Sequence, residues 1–164
     1  MAIRRLIGKL RCLPLLALAA AAGPALADFQ ELVTFPAGVA CQFELKVEGD
    51  GSGVRVNKVP GGGRWTSISA GTGSDLKLTN VSNGSWITLE GNGAVNLTRP
   101  SDNGSYISTL TGHNIVFMYP TDTPAGPSTT LYIGSVTLRI DSVGNSTIVS
   151  SSGRKRDLCA ELSK

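Results

Sequence analysis

The chain has 164 residues, of which 41% are hydrophobic and only 16% are charged, and its formal net charge is +3. The first 27 residues hold four of the fifteen basic residues and none of the twelve acidic ones, so the rest of the chain is close to neutral. This length suits one domain with a single core, and the near-neutral balance gives no electrostatic footprint for nucleic acid or an anionic membrane surface.

Residues 1–27 have the three parts of a secretory signal peptide. Basic side chains come first, the apolar run LPLLALAAAAG follows, and the small-x-small sequence Ala25-Leu26-Ala27 directly precedes Asp28. The sequence therefore predicts a secreted, extracellular protein that begins at Asp28 after cleavage. No later apolar run approaches the roughly 20 residues that a membrane-spanning helix needs, so no membrane span is expected in the mature chain.

The cysteines predict a crosslink. Cys12 would leave with the leader, and Cys41 and Cys159 would remain in an oxidising compartment, where a disulfide is the expected state. The sequence thus predicts a single β domain over residues 28–164. We expect the disulfide to join its first and last strands.

Strand patterns fill the first half of this domain. Residues 39–48 alternate between apolar and polar side chains, which is typical of a half-buried strand and puts Cys41 on the buried face. The strands predicted up to the first Asn-Gly pair are 29–35, 39–48, 53–58, 64–69 and 75–81.

Asn-Gly pairs punctuate the middle of the chain at Asn83, Asn92 and Asn103. Such a pair supplies the two positive φ angles of a type I′ hairpin turn. The segments that follow, SWITLEG, AVNLTRP and SYISTLTG, have the length and composition of strands. They are therefore interpreted as an up-and-down meander of hairpins.

The last third of the chain predicts four more strands, at 114–119, 129–141, 146–151 and 157–162. Three prolines make residues 119–128 a stiff loop, because proline fixes φ and donates no ladder hydrogen bond. No mature segment of helical length has a 3.6-residue apolar period. The predicted fold is all-β, either an antiparallel β-sandwich or a small β-barrel, and the sequence leaves that choice open.

The stretches FPAGVAC (35–41) and TGHNIVFMYPTDTPAGPSTTLYIG (111–134), and the closing Asp157-Leu158-Cys159, resemble a family of small secreted proteins common in actinobacteria. That family has no assigned activity. The resemblance implies export and a compact domain, and it brings no site residues to this chain.

Candidate chemistry is sparse. His113 is the one histidine, so no ordinary zinc or copper ligand set exists once the cysteines pair, and neither a metal nor a cofactor is expected. No Gly-x-Ser-x-Gly elbow is present. If His113 acts as a general base, Asp122 of the proline loop is its candidate partner, in a shallow pocket with Tyr119 or Tyr132 at the wall. A locally bonded histidine is the commoner alternative.

A binding role rests on two tryptophans. Trp65 and Trp86 lie next to turns, where an aromatic side chain can offer a flat face to a sugar or a protein, although tryptophan in a β domain more often fills the core. The sequence therefore favours a secreted, monomeric, non-catalytic binding or cell-exterior protein. The alternatives are a small secreted hydrolase using His113 and the 119–128 loop, and an effector or interaction protein with partners that the sequence leaves unknown.

Overall fold

A computed structural model describes residues 28–58 and 67–164. The predicted leader, the start of the predicted strand 64–69 and the candidate Trp65 lie outside these ranges. Within them, the chain forms two antiparallel sheets of four and six strands. The all-β, sandwich-like prediction is confirmed.

The strands follow one another along nearly the whole described chain, with a three-residue 3-10 helix (Asp102–Gly104) between β7 and β8 and one short α-helix after β10. They are β1 (Gln30–Phe35), β2 (Leu45–Gly49), β3 (Arg55–Lys58), β4 (Ser67–Gly71), β5 (Leu76–Asn80), β6 (Trp86–Leu89), β7 (Ala94–Pro100), β8 (Tyr106–Met118), β9 (Ser128–Ile140) and β10 (Ser146–Asp157), followed by helix α1 (Leu158–Leu162). The small sheet has the order β1-β2-β5-β6, and the large sheet has the order β10-β9-β8-β7-β4-β3.

The main core lies between the two sheets and follows from the alternation in the sequence. In β2, Leu45 and Val47 are buried, whereas Lys46 and Glu48 lie on the outer face of the small sheet. The buried residues of β2, β5 and β6 pack with Leu131 of β9 and with partly buried side chains of β8. A second apolar cluster belongs to the large sheet alone, and it contains Val116, Met118, Tyr132, Val136, Leu138 and Ile140.

A row of three glycines crosses the large sheet. Gly112 of β8 pairs with Gly134 of β9, which pairs with Gly153 of β10, and all three have positive φ, at 92°, 145° and 90°. A Cβ atom at any of them would collide with the backbone of a neighbouring strand. The sequence predicted two strands around Gly112, but the chain passes through this glycine as one strand of 13 residues.

The Asn-Gly pairs play different roles from one another. Only Asn103-Gly104, between β7 and β8, has positive φ at both residues (56° and 73°), and Gly84 supplies the positive φ of the β5-β6 loop. The meander holds from β7 to β10 and for β5 with β6. Asn92-Gly93 instead lies where the chain leaves the small sheet and enters the large one.

Cys41 does not lie in a strand, contrary to the prediction for 39–48. The backbone N–H groups of Gly38 and Val39 donate to the carbonyls of Cys41 (2.8 Å) and Pro36 (3.2 Å), and Gly38 has a φ of 83°, so the chain turns before β2 begins. Cys41 is nevertheless fully buried. The predicted burial of Cys41 is confirmed, but the predicted strand is wrong over residues 39–44, because β2 begins at Leu45.

The strand predicted at 157–162 is wrong, because β10 ends at Asp157 and Leu158–Leu162 form helix α1. The carboxylate of Asp157 accepts a hydrogen bond from the backbone N–H of Ala160 (2.9 Å) and so caps the first turn. Leu158 and Leu162, four residues apart on one helical face, are both buried.

The disulfide between Cys41 and Cys159 is present, with the two Cα atoms 5.6 Å apart. That separation is in the ordinary range for a disulfide. It joins helix α1 to the turn before β2, so the prediction of the bond is confirmed. The expectation that it would link two strands is wrong.

Candidate functional site

His113 lies at the edge of a cleft between the two sheets. It shares a face of β8 with Ile115 and Phe117, because alternate residues of a strand point to the same side. The cleft has a volume of about 380 Å³, within the usual range of small-molecule sites. Its walls are apolar, with Leu32, Val33, Val47, Leu76 and Leu89 from the small sheet and Ile115, Phe117 and Leu131 from the large sheet.

Polar side chains gather at one end of this cleft. The loop between β6 and β7 contributes Glu90 and Asn92, and β8 contributes His113. Asn114 also lines the cleft, but strand alternation turns its side chain to the opposite face of β8 from His113. The carboxylate of Asp75 accepts a hydrogen bond from the backbone N–H of Gly91 (2.6 Å), which holds the loop in place. The cleft therefore combines a long apolar wall with a small polar group, the usual character of a ligand site.

A second, smaller cavity of about 280 Å³ adjoins the cleft at this polar end. Leu89, Glu90, Asn92, His113 and Leu131 line both spaces, which shows that they share a boundary. The smaller cavity adds Thr88, Ile133 and Arg156 to its lining.

Arg156 forms an ion pair with Glu161. Its Nε and Nη2 atoms donate to the two carboxylate oxygens of Glu161, at 3.0 Å and 2.6 Å. These hydrogen bonds raise the pKa of Arg156 and lower the pKa of Glu161. The charge of the guanidinium group is thus largely balanced by its own partner.

Asp122 is hydrogen-bonded to the backbone of the large sheet and its proline loop. Its side chain is buried and accepts hydrogen bonds from the backbone N–H groups of Tyr119 and Ser146, both at 2.6 Å. The same loop pairs with the edge of β10, since the N–H of Thr123 donates to Ser146 and its carbonyl accepts from Ile148, both at 2.8 Å. The carboxylate therefore fastens the proline loop to the large sheet.

The two candidate tyrosines are also placed outside the cavities that His113 lines. Tyr132 belongs to the second apolar cluster, where burial raises its pKa and Lys155 lies 5.3 Å from its ring. Burial, and to a smaller degree the charge of Asp122, raises the pKa of Tyr119. Neither tyrosine lines either cavity that His113 lines, and Asp122 does not line them.

Trp86 is exposed on the outer face of the small sheet, with 59% of its surface open to solvent. The ammonium of Lys77 lies 5.5 Å from its ring. Beyond Lys77 the same face carries a row of charges, in which Glu48 lies 3.9 Å from Lys77 and 2.8 Å from Lys46. The hydrogen bond with Glu48 is the main cause of the raised pKa of Lys46. The other candidate, Trp65, lies outside the described residues.

No helix in the described residues is long and apolar enough to cross a membrane. No group of three or more histidine, cysteine or acidic side chains in the same ranges is arranged to hold a metal ion.

Sequence reasoning missed most of this site. Glu90 lies near the end of the predicted strand segment SWITLEG, just before the Asn92-Gly93 turn signal, and nothing in the sequence marks it as a site residue. Strand alternation was the available signal for the wall, because it places Ile115 and Phe117 on the face of His113.

Comparison of the chain with models of protein families, with curated protein sequences and with solved structures found no match. The geometry of the cleft is therefore the basis for proposing a function.

Proposed function

We propose that the chain is an exported, non-catalytic protein that binds a small apolar molecule in the cleft between its two sheets. The cleft itself carries the proposal. It offers about 380 Å³ between apolar walls with a few polar groups at one end, and concave apolar sites with few, well-placed polar groups are where small ligands bind.

The surroundings of His113 favour binding over catalysis. Within the described ranges its side chain makes no hydrogen bond to a carboxylate, and Asp122 is already bound to two backbone N–H groups. A general base in a triad-like arrangement needs a partner that orients its ring. His113 is therefore proposed as a hydrogen-bonding group at the end of the cleft.

Export is supported by the crosslink. Cys41 and Cys159 are bonded across 118 positions of the chain, and stable structural disulfides belong to oxidising compartments outside the cytosol. Residues 1–27, which have the pattern of a secretory signal peptide, would direct the export.

Binding can be measured with N-phenyl-1-naphthylamine, an uncharged apolar dye that fluoresces when it leaves water. We expect saturable binding to the oxidised chain over residues 28–164. Val33→Trp puts a large ring at the rim of the cleft and should weaken binding at least tenfold.

Val149→Trp is the matched control, because Val149 is also an exposed strand valine but does not line the cleft. It should bind the dye like the original protein. Urea unfolding of both variants checks that they are folded. Absence of saturable binding, or equal binding by the two variants, would contradict the proposal.

A second candidate function, recognition of a sugar or protein surface, is favoured by the exposed Trp86 beside Lys77. Aromatic side chains open to solvent are frequent anchors of such contacts. Trp86→Ala should abolish that recognition without changing dye binding in the cleft. Retention by beads of an insoluble polysaccharide such as chitin or cellulose, lost in the variant, would support this function.

A further inference from the structure

Glu90 sets the charge of the cleft. Among the described residues that line the cleft it is the one carboxylate, and none of them is a lysine or an arginine. Glu90 is exposed and forms no ion pair with another described residue. The polar end of the cleft therefore carries a negative charge that these residues do not balance.

A second carboxylate adjoins the same loop. Asp75 accepts the hydrogen bond from the backbone N–H of Gly91, the residue directly after Glu90, at 2.6 Å. Asp75 also forms no ion pair with another described residue. Its charge adds to the negative potential at this end of the cleft.

Two cations on neighbouring elements have partners of their own. Arg156 lines the smaller cavity, as Glu90 does, but its guanidinium group donates two hydrogen bonds to the carboxylate of Glu161. Lys77 belongs to the outer face of the small sheet, where it lies 3.9 Å from Glu48. Neither side chain is paired with Glu90.

The polar side chains at this end can accept hydrogen bonds from a cation. The side-chain nitrogen of Asn92 donates to the backbone carbonyl of Glu90 (3.3 Å), which leaves the side-chain oxygen of Asn92 as an acceptor. The carboxylate of Glu90 only accepts, and an uncharged histidine such as His113 has one acceptor nitrogen. An ammonium group offers three donors and no acceptor, whereas a carboxylate offers acceptors alone. A protonated amine therefore matches these groups, and a carboxylate does not.

We infer that the ligand of the cleft is an amphipathic cation, an apolar body with one protonated amine, whose body lies between the two sheets and whose ammonium group lies beside Glu90. This inference rests on the proposed function of the cleft. It adds the chemical class of the ligand and the orientation in which it binds.

The test compares dodecylammonium with laurate, two twelve-carbon probes of opposite charge, each below its micelle-forming concentration. Their dissociation constants are obtained by displacement of N-phenyl-1-naphthylamine in low-salt buffer at pH 8.5, where histidine side chains are generally uncharged. A unit charge in contact with Glu90 at the solvent-exposed rim changes the affinity by a factor of about five, in favour of the ammonium and against the carboxylate. The two effects multiply to about 25-fold, and salt screens part of this. We therefore expect dodecylammonium to bind at least about tenfold more tightly than laurate.

Glu90→Gln removes the charge and keeps the shape of the side chain. In this variant the preference for dodecylammonium over laurate should fall by at least about fivefold, while binding of the uncharged dye stays the same. Glu44→Gln is the matched control, because it changes the net charge equally at an exposed residue that does not line the cleft. It should leave the preference unchanged within about twofold, since distant surface charges are screened.

The outcomes separate the inference from the proposal beneath it. If the dye binds and Val33→Trp blocks it, but laurate binds as tightly as dodecylammonium, the cleft is a binding site and the inference about the cation is wrong. A preference that survives in Glu90→Gln, or that falls equally in Glu44→Gln, also overturns the inference. If the dye does not bind at all, the proposed function fails, and the inference fails with it.

Discussion

Reduction of the disulfide between Cys41 and Cys159 should cost a large part of the stability of the fold. The bond spans 118 positions, and in the chain-entropy treatment a loop of that length stabilises by about 5 kcal/mol. The free energy of unfolding of a small domain falls by about 2 kcal/mol per molar urea. The midpoint of urea unfolding should therefore fall by about 2 to 3 M on reduction. Tryptophan fluorescence of the oxidised and the reduced, alkylated chain measures this difference.

Helix α1 should stay attached after reduction, because other contacts hold it. The side-chain amides of Asn80 and Asn83 donate to the carbonyl of Leu162, at 3.1 Å and 3.2 Å, and Leu158 and Leu162 are buried. Asn80→Ala in the reduced chain should therefore lower the free energy of unfolding further, by about 1 to 2 kcal/mol. A reduced chain indifferent to this substitution would show that the helix had already come away.

Two results would contradict the stabilising role or the presence of the disulfide. A midpoint that shifts by less than about 0.5 M on reduction would show that the loop does not stabilise the fold as the chain-entropy treatment requires. Reactive thiols in the unfolded, unreduced protein would show that the bond is absent.

Four further substitutions test the framework of the fold by urea unfolding. Asp122→Ala should cost about 2 to 3 kcal/mol, because it leaves two backbone N–H groups without their acceptor; a loss below about 0.5 kcal/mol would contradict the role of this carboxylate. Gly134→Ala should cost about 3 kcal/mol or more of stability, because Gly134 has a φ of 145° and its Cβ atom would meet the backbone of β10. Gly144→Ala is the matched control. It should cost only about 1 to 2 kcal/mol, because Gly144 also has a positive φ but has open space around it. The hydrogen bond with Arg156 lowers the pKa of Glu161. The ion pair therefore stabilises the folded protein above the ordinary pKa of glutamate, about 4.3. That stabilisation is lost as the pH falls and Glu161 becomes protonated. Glu161→Gln should therefore reduce the decline in stability between pH 6 and pH 3, by up to about 1 kcal/mol for a partly exposed pair, and an identical decline would contradict the ion pair.

Alternation predicted the strands well where one face is buried against the other sheet. Leu45 and Val47 alternate with Lys46 and Glu48, and the structure places them on opposite faces. The same pattern runs on through Cys41, so it could not show where the strand begins. The turn depends on Gly38 at positive φ, and Pro36 and Gly38 were its local signals in the sequence.

Helix α1 escaped prediction because five residues are too few to show a helical period. Its local signal was Asp157, a good helix N-cap residue directly before the apolar Leu158. Burial of Leu162 and the amides of Asn80 and Asn83 stabilise the helix through tertiary contacts that no local pattern contains.

The cleft was beyond the reach of the sequence for a geometric reason. Alternation tells which side chains face the other sheet, but it does not tell how far apart the sheets lie. Glu90 and His113 are 23 positions apart in the chain, and both line the smaller cavity because the chain crosses from the small sheet to the large one just after Glu90.

A titration of isotope-labelled, oxidised protein with N-phenyl-1-naphthylamine, followed by NMR, tests the binding cleft most directly. The account predicts saturable shifts in the methyl and aromatic signals of Leu89, Ile115 and Phe117, with the ring signals of His113 moving in step. Saturable shifts centred instead on Trp86 and Lys77, or no saturable shift at all, would contradict it.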